Sequence, residues 1–145
     1  MEAKYKGIDV SKWQGDINWE KVRASGVEFA MLRAGFGRCQ GQNDTSFQRN
    51  DRKAKKNGIL VGAYHYSYAK TVSDAEKEAE YFLSLISGKS FEFPVAFDIE
   101  DNSQKNLSRE EISNIVEAFC GRTEKAGYFV SVYANLWWLN NKISD

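Results

Sequence analysis

Cysteine, proline and histidine are almost missing from this chain: two, one and one in 145 residues. Cys39 and Cys120 are too few and too far apart for a disulfide framework or a thiolate zinc site, and two buried thiols are the expectation. A single proline and no Gly/Ser-rich stretch leave no place for a flexible linker. Residues 1–145 therefore read as one domain, long enough to bury a real core. Neither sign of charge is in excess, with Lys plus Arg and Asp plus Glu at 20 each. That withholds the basic footprint nucleic acid requires. No apolar run approaches the ~20 residues of a membrane-spanning helix. Met1-Glu2-Ala3-Lys4-Tyr5-Lys6 carries no apolar signal-peptide stretch either. Neither nucleic acid nor a membrane is an expected partner.

What the chain does have is a rhythm. Strand-like segments recur at Gly7 to Val10, Val27 to Ala34, Ile59 to Tyr68, Pro94 to Ile99 and Phe129 to Asn135. Gly26, Gly58 and Gly127 precede three of them and read as helix C-caps. Ser73 with Glu76 and Ser108 with Glu111 have capping-box spacing. Ala75, Ala79, Phe82, Leu83 and Ile86 follow the first box at helical period. Ile112, Ile115, Val116 and Phe119 follow the second. A charged helix from about Thr45 to Asn57 is expected on the surface. Strands alternating with helices predict βαβ units, a parallel sheet and an α/β fold. In such folds functional groups gather at the C-terminal strand ends. Here those ends carry Asp9 and Ser11, Arg33, His65 to Tyr68, Asp98 and Glu100, and Tyr133 and Asn135.

Asp98-Ile99-Glu100 is the stretch with the most chemistry. It ends the apolar run Phe93-Pro94-Val95-Ala96-Phe97, and residues i and i+2 of a strand share a face about 6–7 Å apart. Val95, Phe97 and Ile99 would face one way, and Ala96, Asp98 and Glu100 the other. Two neighbouring acids raise each other's pKa, and burial raises both further. Such a pair can keep one carboxyl protonated and one ionised near neutral pH. The alternative is a strand end whose acids simply run into solvent.

Asp9 is a candidate third acid, or else a cap for the first helical segment. Arg33 is either an electrostatic partner that keeps one carboxylate ionised or a strand-end salt bridge. Trp13, Trp19, Trp137 and Trp138, with Tyr64, Tyr66, Tyr68 and Tyr133, offer ring faces and hydroxyls that suit a sugar. Core packing is the expectation for Trp19 and for one of the Trp137/Trp138 pair. Packing accounts less well for Trp13, in the loop after the first strand. Alternation groups Tyr133 with Ser131 on the polar side of the last strand. His65, the only histidine, reads as a structural residue. A metal site would have to rest on Asp9, Asp98 and Glu100 without a spacing signature, and no cofactor is expected. A Ser-His-Asp triad lacks its elbow motif.

Gly7-Ile8-Asp9-Val10-Ser11-Lys12-Trp13-Gln14-Gly15, Arg33-Ala34, Gly62-Ala63-Tyr64-His65-Tyr66 and Asp98-Ile99-Glu100 together resemble glycoside hydrolase family 25, the N-acetylmuramidases, across essentially the whole chain. The resemblance implies an irregular, TIM-like β/α barrel. It also implies hydrolysis of the β-1,4 bond between N-acetylmuramic acid and N-acetylglucosamine in bacterial peptidoglycan. By position, Glu100 is expected to be the general acid, with Asp98 stabilising charge or orienting the substrate's N-acetyl group. Asp9 would complete an acidic floor, and Tyr64, Tyr133, Trp13 and Arg33 would contact sugar. Glu100 would then carry the raised pKa.

The family's barrel should continue beyond residue 145, since a full one takes roughly 200–250 residues. About five βα units are expected here, with the closing strands and a further acid absent. Such a chain would be weakly active or inactive alone, and prone to self-association through open edges. The substrate implies a secreted or wall-associated protein, or a phage endolysin. Two other functions stand beside the muramidase: a non-catalytic glycan-binding module on the same scaffold, and an acid-rich metal-dependent hydrolase.

Overall fold

Helix stops and strand starts are coupled in this chain. Gly26, Gly58 and Gly127 adopt φ of 95°, 75° and 97°, a left-handed turn that ends a helix and releases the chain into the next strand. The computed structural model describes residues 5–143. The leader-free reading of Met1 to Lys4, and Ser144 and Asp145, lie outside the described residues.

The strands are β1 (Gly7–Val10), β2 (Phe29–Phe36), β3 (Leu60–Tyr66), β4 (Val95–Asp98) and β5 (Val130–Tyr133). Between and after them run α1 (Trp19–Ala24), α2 (Phe47–Lys56), α3 (Val72–Ile86), α4 (Arg109–Lys125) and α5 (Leu136–Asn141). All four strand pairings are parallel, in the order β1-β2-β3-β4-β5. This is a partial TIM-like β/α barrel, an open sheet whose unpaired edges are β1 and β5. Ser108 and Glu111 form the expected capping box on α4. On α3 the cap is Thr71, whose hydroxyl accepts from the Asp74 N–H, so the helix begins two residues before the Ser73 box would start it.

The core lies between the sheet and its helices. Val95, Phe97 and Ile99 point into it with Leu32, Val61, Ala63, Phe82, Ile112 and Phe119. Phe97 stacks on Phe119 at 4.1 Å between ring centroids. Every residue of β4 is buried, the pattern of a parallel strand covered on both faces. Trp19 and Trp138 are buried, whereas Trp137 is about half exposed, as the aromatic reading anticipates. The charged helix α2 keeps one stripe inside, through Phe47, Asn50, Asp51 and Ala54. The cysteines depart from expectation: Cys39 is exposed on the connection after β2, and Cys120 is only partly covered on α4.

Register sorts the other face into rows. Asp9 pairs with Met31 and Met31 with Gly62, forming a lower row. Arg33, Tyr64, Ala96 and Ser131 form the next. Tyr66, Asp98 and Tyr133 form the upper one. Gly62 is required by close approach, since a Cβ there would fall 2.5 Å from Met31 Sδ and 2.8 Å from the Pro94 carbonyl oxygen. One extra residue in β2, between Arg33 and Gly35, shifts the register and carries the strand end toward its loop.

Candidate active site

The concave face ends in a pocket of about 110 Å³ lined by Asp9, Met31, Tyr64, Ala96, Asp98, Glu100 and Tyr133. All five strands contribute, each near its C-terminal end except where Met31 and Ala96 form the floor. Ala96, Asp98 and Glu100 thus share a side, as strand alternation requires, and Tyr64 and Tyr133 flank them. A larger and more open concavity of about 450 Å³ lies between α1 and α2, around Asp16, Trp19 and Lys53. Its two acids, Asp16 and Glu20, stand among Lys53 and Lys56, and Lys53 Nζ lies 3.6 Å from Asp16.

Asp98 is 8% exposed, and its Oδ1 is buried without a hydrogen-bond partner. Burial pushes its pKa up to about 8. The Glu100 charge, a hydrogen bond shared with Glu100 and the Asp9 charge add to the rise. Asp98 therefore keeps its proton through neutral pH, with the Glu100 carboxyl beside it. The sequence reading put the raised pKa on Glu100. The structure buries Asp98 at the strand end and leaves Glu100 partly open, so desolvation falls on Asp98.

Asp9 also titrates high because burial outweighs the hydrogen bond it accepts from Tyr133. Tyr133 Oη stands 3.5 Å from Asp9 Oδ2, a contact that spans the two outer strands of the sheet. The Asp9 charge is the main reason the Tyr133 phenol is held up, with burial second. The Tyr64 phenol is raised by burial, which the nearby Arg33 charge opposes. Asp9 therefore faces the pocket. The capping role considered for it belongs to Ser11, whose hydroxyl accepts from the Trp13 N–H at 3.3 Å.

Two expected contact residues stand apart from this group. Arg33 donates from Nε to Asp44 Oδ2 at 2.9 Å in a largely buried pair, which is the salt-bridge alternative, and does not line the pocket. Its guanidinium carbon lies 5.2 Å from the Phe36 ring centroid. Trp13 is 76% exposed beyond the pocket, with Lys12 Nζ 5.0 Å from its ring centroid. His65 is wholly buried on the helix side, its Nε2–H donating to the Gly37 carbonyl at 2.7 Å. Among the described residues no three His, Cys, Asp or Glu side chains converge to hold a metal ion.

Sequence reasoning overlooked Met31, although alternation along β2 puts it on the pocket side. It also overlooked Asp44, which accepts from Lys12 N–H and Ser46 N–H as well as from Arg33. Asp101 was missed too: it accepts from the Tyr66 hydroxyl at 3.0 Å. Asp101-Asn102-Ser103-Gln104 has capping-box spacing, and that signal was available in the sequence.

The family model described as Glycosyl hydrolases family 25 matches residues 8–145. Among curated proteins, Lysozyme M1 of Streptomyces globisporus is 33% identical over 93% of this chain and 48% of its own length. The uncharacterized protein YegX of Escherichia coli K12 is 35% identical over 83% of this chain and 44% of its own. The chain thus spans less than half the length of these relatives. Among solved structures, a family 25 glycosyl hydrolase from Bacillus anthracis superposes with a TM-score of 0.85 at 29% identity, covering 98% of this chain and 65% of that one. The modular autolysin LytC of Streptococcus pneumoniae gives 0.84 at 27% identity, covering 95% and 34%.

Proposed function

The chain belongs to glycosyl hydrolase family 25, and we propose that its pocket is the acid half of a muramidase site. The substrate is peptidoglycan, cut at the β-1,4 bond between N-acetylmuramic acid and N-acetylglucosamine. One observation carries this reading: the Asp98 and Glu100 carboxyls meet at the C-terminal end of β4, in a pocket walled by tyrosines.

The closeness of the two acids supports a substrate-assisted mechanism. Carboxyls two residues apart on one strand face are poorly placed to flank a sugar ring in the usual two-sided arrangement. The nucleophile is then the substrate's own 2-acetamido oxygen. In the free protein burial keeps the proton on Asp98; in the catalytic state it passes to Glu100, the more open of the pair, and leaves Asp98 ionised. Glu100 passes the proton to the glycosidic oxygen as the bond to the anomeric carbon breaks. The acetamido oxygen closes on that carbon, and the Asp98 carboxylate steadies the positive charge that develops. Water, losing a proton to Glu100, then opens the ring and restores the starting configuration. Asp9 and Tyr133 hold one side of the sugar, and Tyr64 the other. Trp13 and Arg33 act farther out, Trp13 as an exposed ring face and Arg33 through the potential it sets at Tyr64. The protein works at the bacterial wall, whether secreted or released as an endolysin.

Turbidity clearing of bacterial cell walls, run beside a glycan pull-down, tests this reading. Glu100→Gln should lower activity by 10²–10⁴, the usual contribution of a general acid, while glycan retention persists. Full activity in a folded Glu100→Gln protein refutes it. A second reading is a glycan-binding module without catalysis, which the exposed Trp13 ring and the pocket tyrosines would serve. It predicts retention without clearing for the unsubstituted chain. Clearing that is abolished by EDTA would instead favour the metal-dependent hydrolase.

A further inference from the structure

Four residues beyond Glu100, a buried polar cluster joins the β4 loop to the end of β3 and to α3. Gln104, Ser67 and Glu78 are each no more than 1% exposed. Gln104 Nε2 donates to the Ala69 carbonyl at 2.8 Å and to Ser67 Oγ at 3.1 Å, while its Oε1 accepts from the Asp101 N–H at 3.2 Å. The amide is fully used, and only this orientation satisfies its three partners. Ser67 Oγ also accepts from the Ala69 N–H at 3.1 Å. Both of its lone pairs are therefore taken, so its own proton goes to Glu78 Oε1, 2.7 Å away. Glu78 Oε2 accepts from the Tyr68 N–H at 2.9 Å. Each donor in the cluster has one acceptor to go to, which fixes the direction of every bond.

Ser67 stands at the centre of this arrangement. Its backbone N–H donates to the Asp98 carbonyl at 2.8 Å, and its side chain receives Gln104. One residue thereby holds both ends of the segment Asp98–Gln104. Within that segment the Ile99 N–H is bound to the Tyr133 carbonyl at 2.9 Å, and the Asp101 carboxylate is held by Tyr66. Glu100 lies between these two anchors, and among the described residues its side chain makes no hydrogen bond outside its contact with Asp98. Its placement is set by its neighbours.

We propose that Gln104, through Ser67 and Glu78, is a positioning residue that fixes Glu100 for proton transfer. This rests on the reading of Glu100 as the general acid. A polar cluster in the wall of a barrel is costly unless fully satisfied. This one is fully satisfied, and it sits where a misplacement of about 1 Å can cost 10²-fold in rate. Burial pushes the Glu78 carboxyl up to about 7, opposed by the bonds from Tyr68 and Ser67, raised further by Asp74 and lowered by Arg38. Both of its oxygens serve as acceptors in the cluster, which favours the ionised form.

The test compares the unsubstituted chain with Gln104→Met, which keeps the length and apolar volume of the side chain and removes all three bonds. Glu78→Gln is a milder variant that leaves one of the two donors to that carboxylate unpaired. Amide hydrogen exchange is read first, because it does not depend on activity. The Ser67, Ile99 and Asp101 amides should exchange at least tenfold faster in Gln104→Met, while amides of β2 and α4 move only with global stability. Uniform exchange across the protein overturns the proposal. On peptidoglycan fragments, kcat should fall 10–100-fold with KM within about twofold, and Glu78→Gln should fall between the two. A raised KM at unchanged kcat, or a loss no larger than the unfolded fraction, also overturns it. If the unsubstituted chain clears no substrate, the muramidase reading fails while the exchange result still decides the positional one.

Discussion

Acid should weaken this fold through His65. The imidazole lies wholly buried between Phe82, 5.4 Å away, and Phe119, 6.0 Å away and nearly parallel. One nitrogen donates to the Gly37 carbonyl and the other, Nδ1, has no partner. Protonation would place a charge and a second, unanswered N–H inside an aromatic cluster. Burial accordingly lowers the pKa from 6.5 to about 4, with the Arg33 charge adding to the fall and the Gly37 bond opposing it. The unfolded chain takes up the proton below pH 6.5 and the folded one resists it until about pH 4. Stability contributed by the neutral ring is therefore present above pH 6.5 and lost as pH falls through that window. At about 1.4 kcal/mol per unit, the loss is about 2 kcal/mol between pH 7 and pH 5 and about 3 kcal/mol by pH 4. His65→Gln retains an N–H for Gly37 but cannot be charged. It loses ring packing, a fixed cost that does not vary with pH. Urea denaturation of both proteins at pH 7, 6 and 5 yields the difference, in which the other titrating groups cancel. That difference should shift by about 2 kcal/mol in favour of the variant on going to pH 5. A constant difference, within about 0.5 kcal/mol, would refute the assignment of a suppressed histidine pKa.

Asp44→Ala should cost about 3–5 kcal/mol, since it strands the buried Arg33 charge and removes the acceptor of two backbone N–H groups; denaturant midpoints at constant m-value check this. If the chain is a muramidase, wall-clearing activity should decline as pH rises through about 8, where Asp98 loses the proton it holds beside Glu100. A pH–rate profile that stays flat to pH 9 would contradict that coupling.

The strand face of Asp98 and Glu100 was legible because a period of two is a steric necessity, and register carried it into rows across the sheet. The helix stops were legible for a similar local reason, since Gly58 and Gly127 take a φ that other residues avoid. Less could be read of the groups that depend on distant partners. Arg33 offered two roles, and only folding brought the carboxylate of Asp44 to it across the bulge in β2. The cap on α3 fell to Thr71 rather than Ser73 because both residues suit the position and only the backbone path decides between them. The sharing of proton affinity between Asp98 and Glu100 also escaped the sequence. It depends on which acid is buried and which is partly open, and neighbouring positions on one strand face do not tell them apart.

The contact between Tyr133 and Asp9 carries a consequence for the order of folding. No backbone ladder joins β1 to β5; their side chains meet through one hydroxyl and one carboxylate, 124 residues apart along the chain. Each preceding strand adds to its neighbour through a short crossover, but this contact needs all four pairings in place first. Long-range closures of this kind come late, after the entropy of the intervening chain has been given up. Asp9 therefore meets the other acids of the pocket only where all five strands are paired in register.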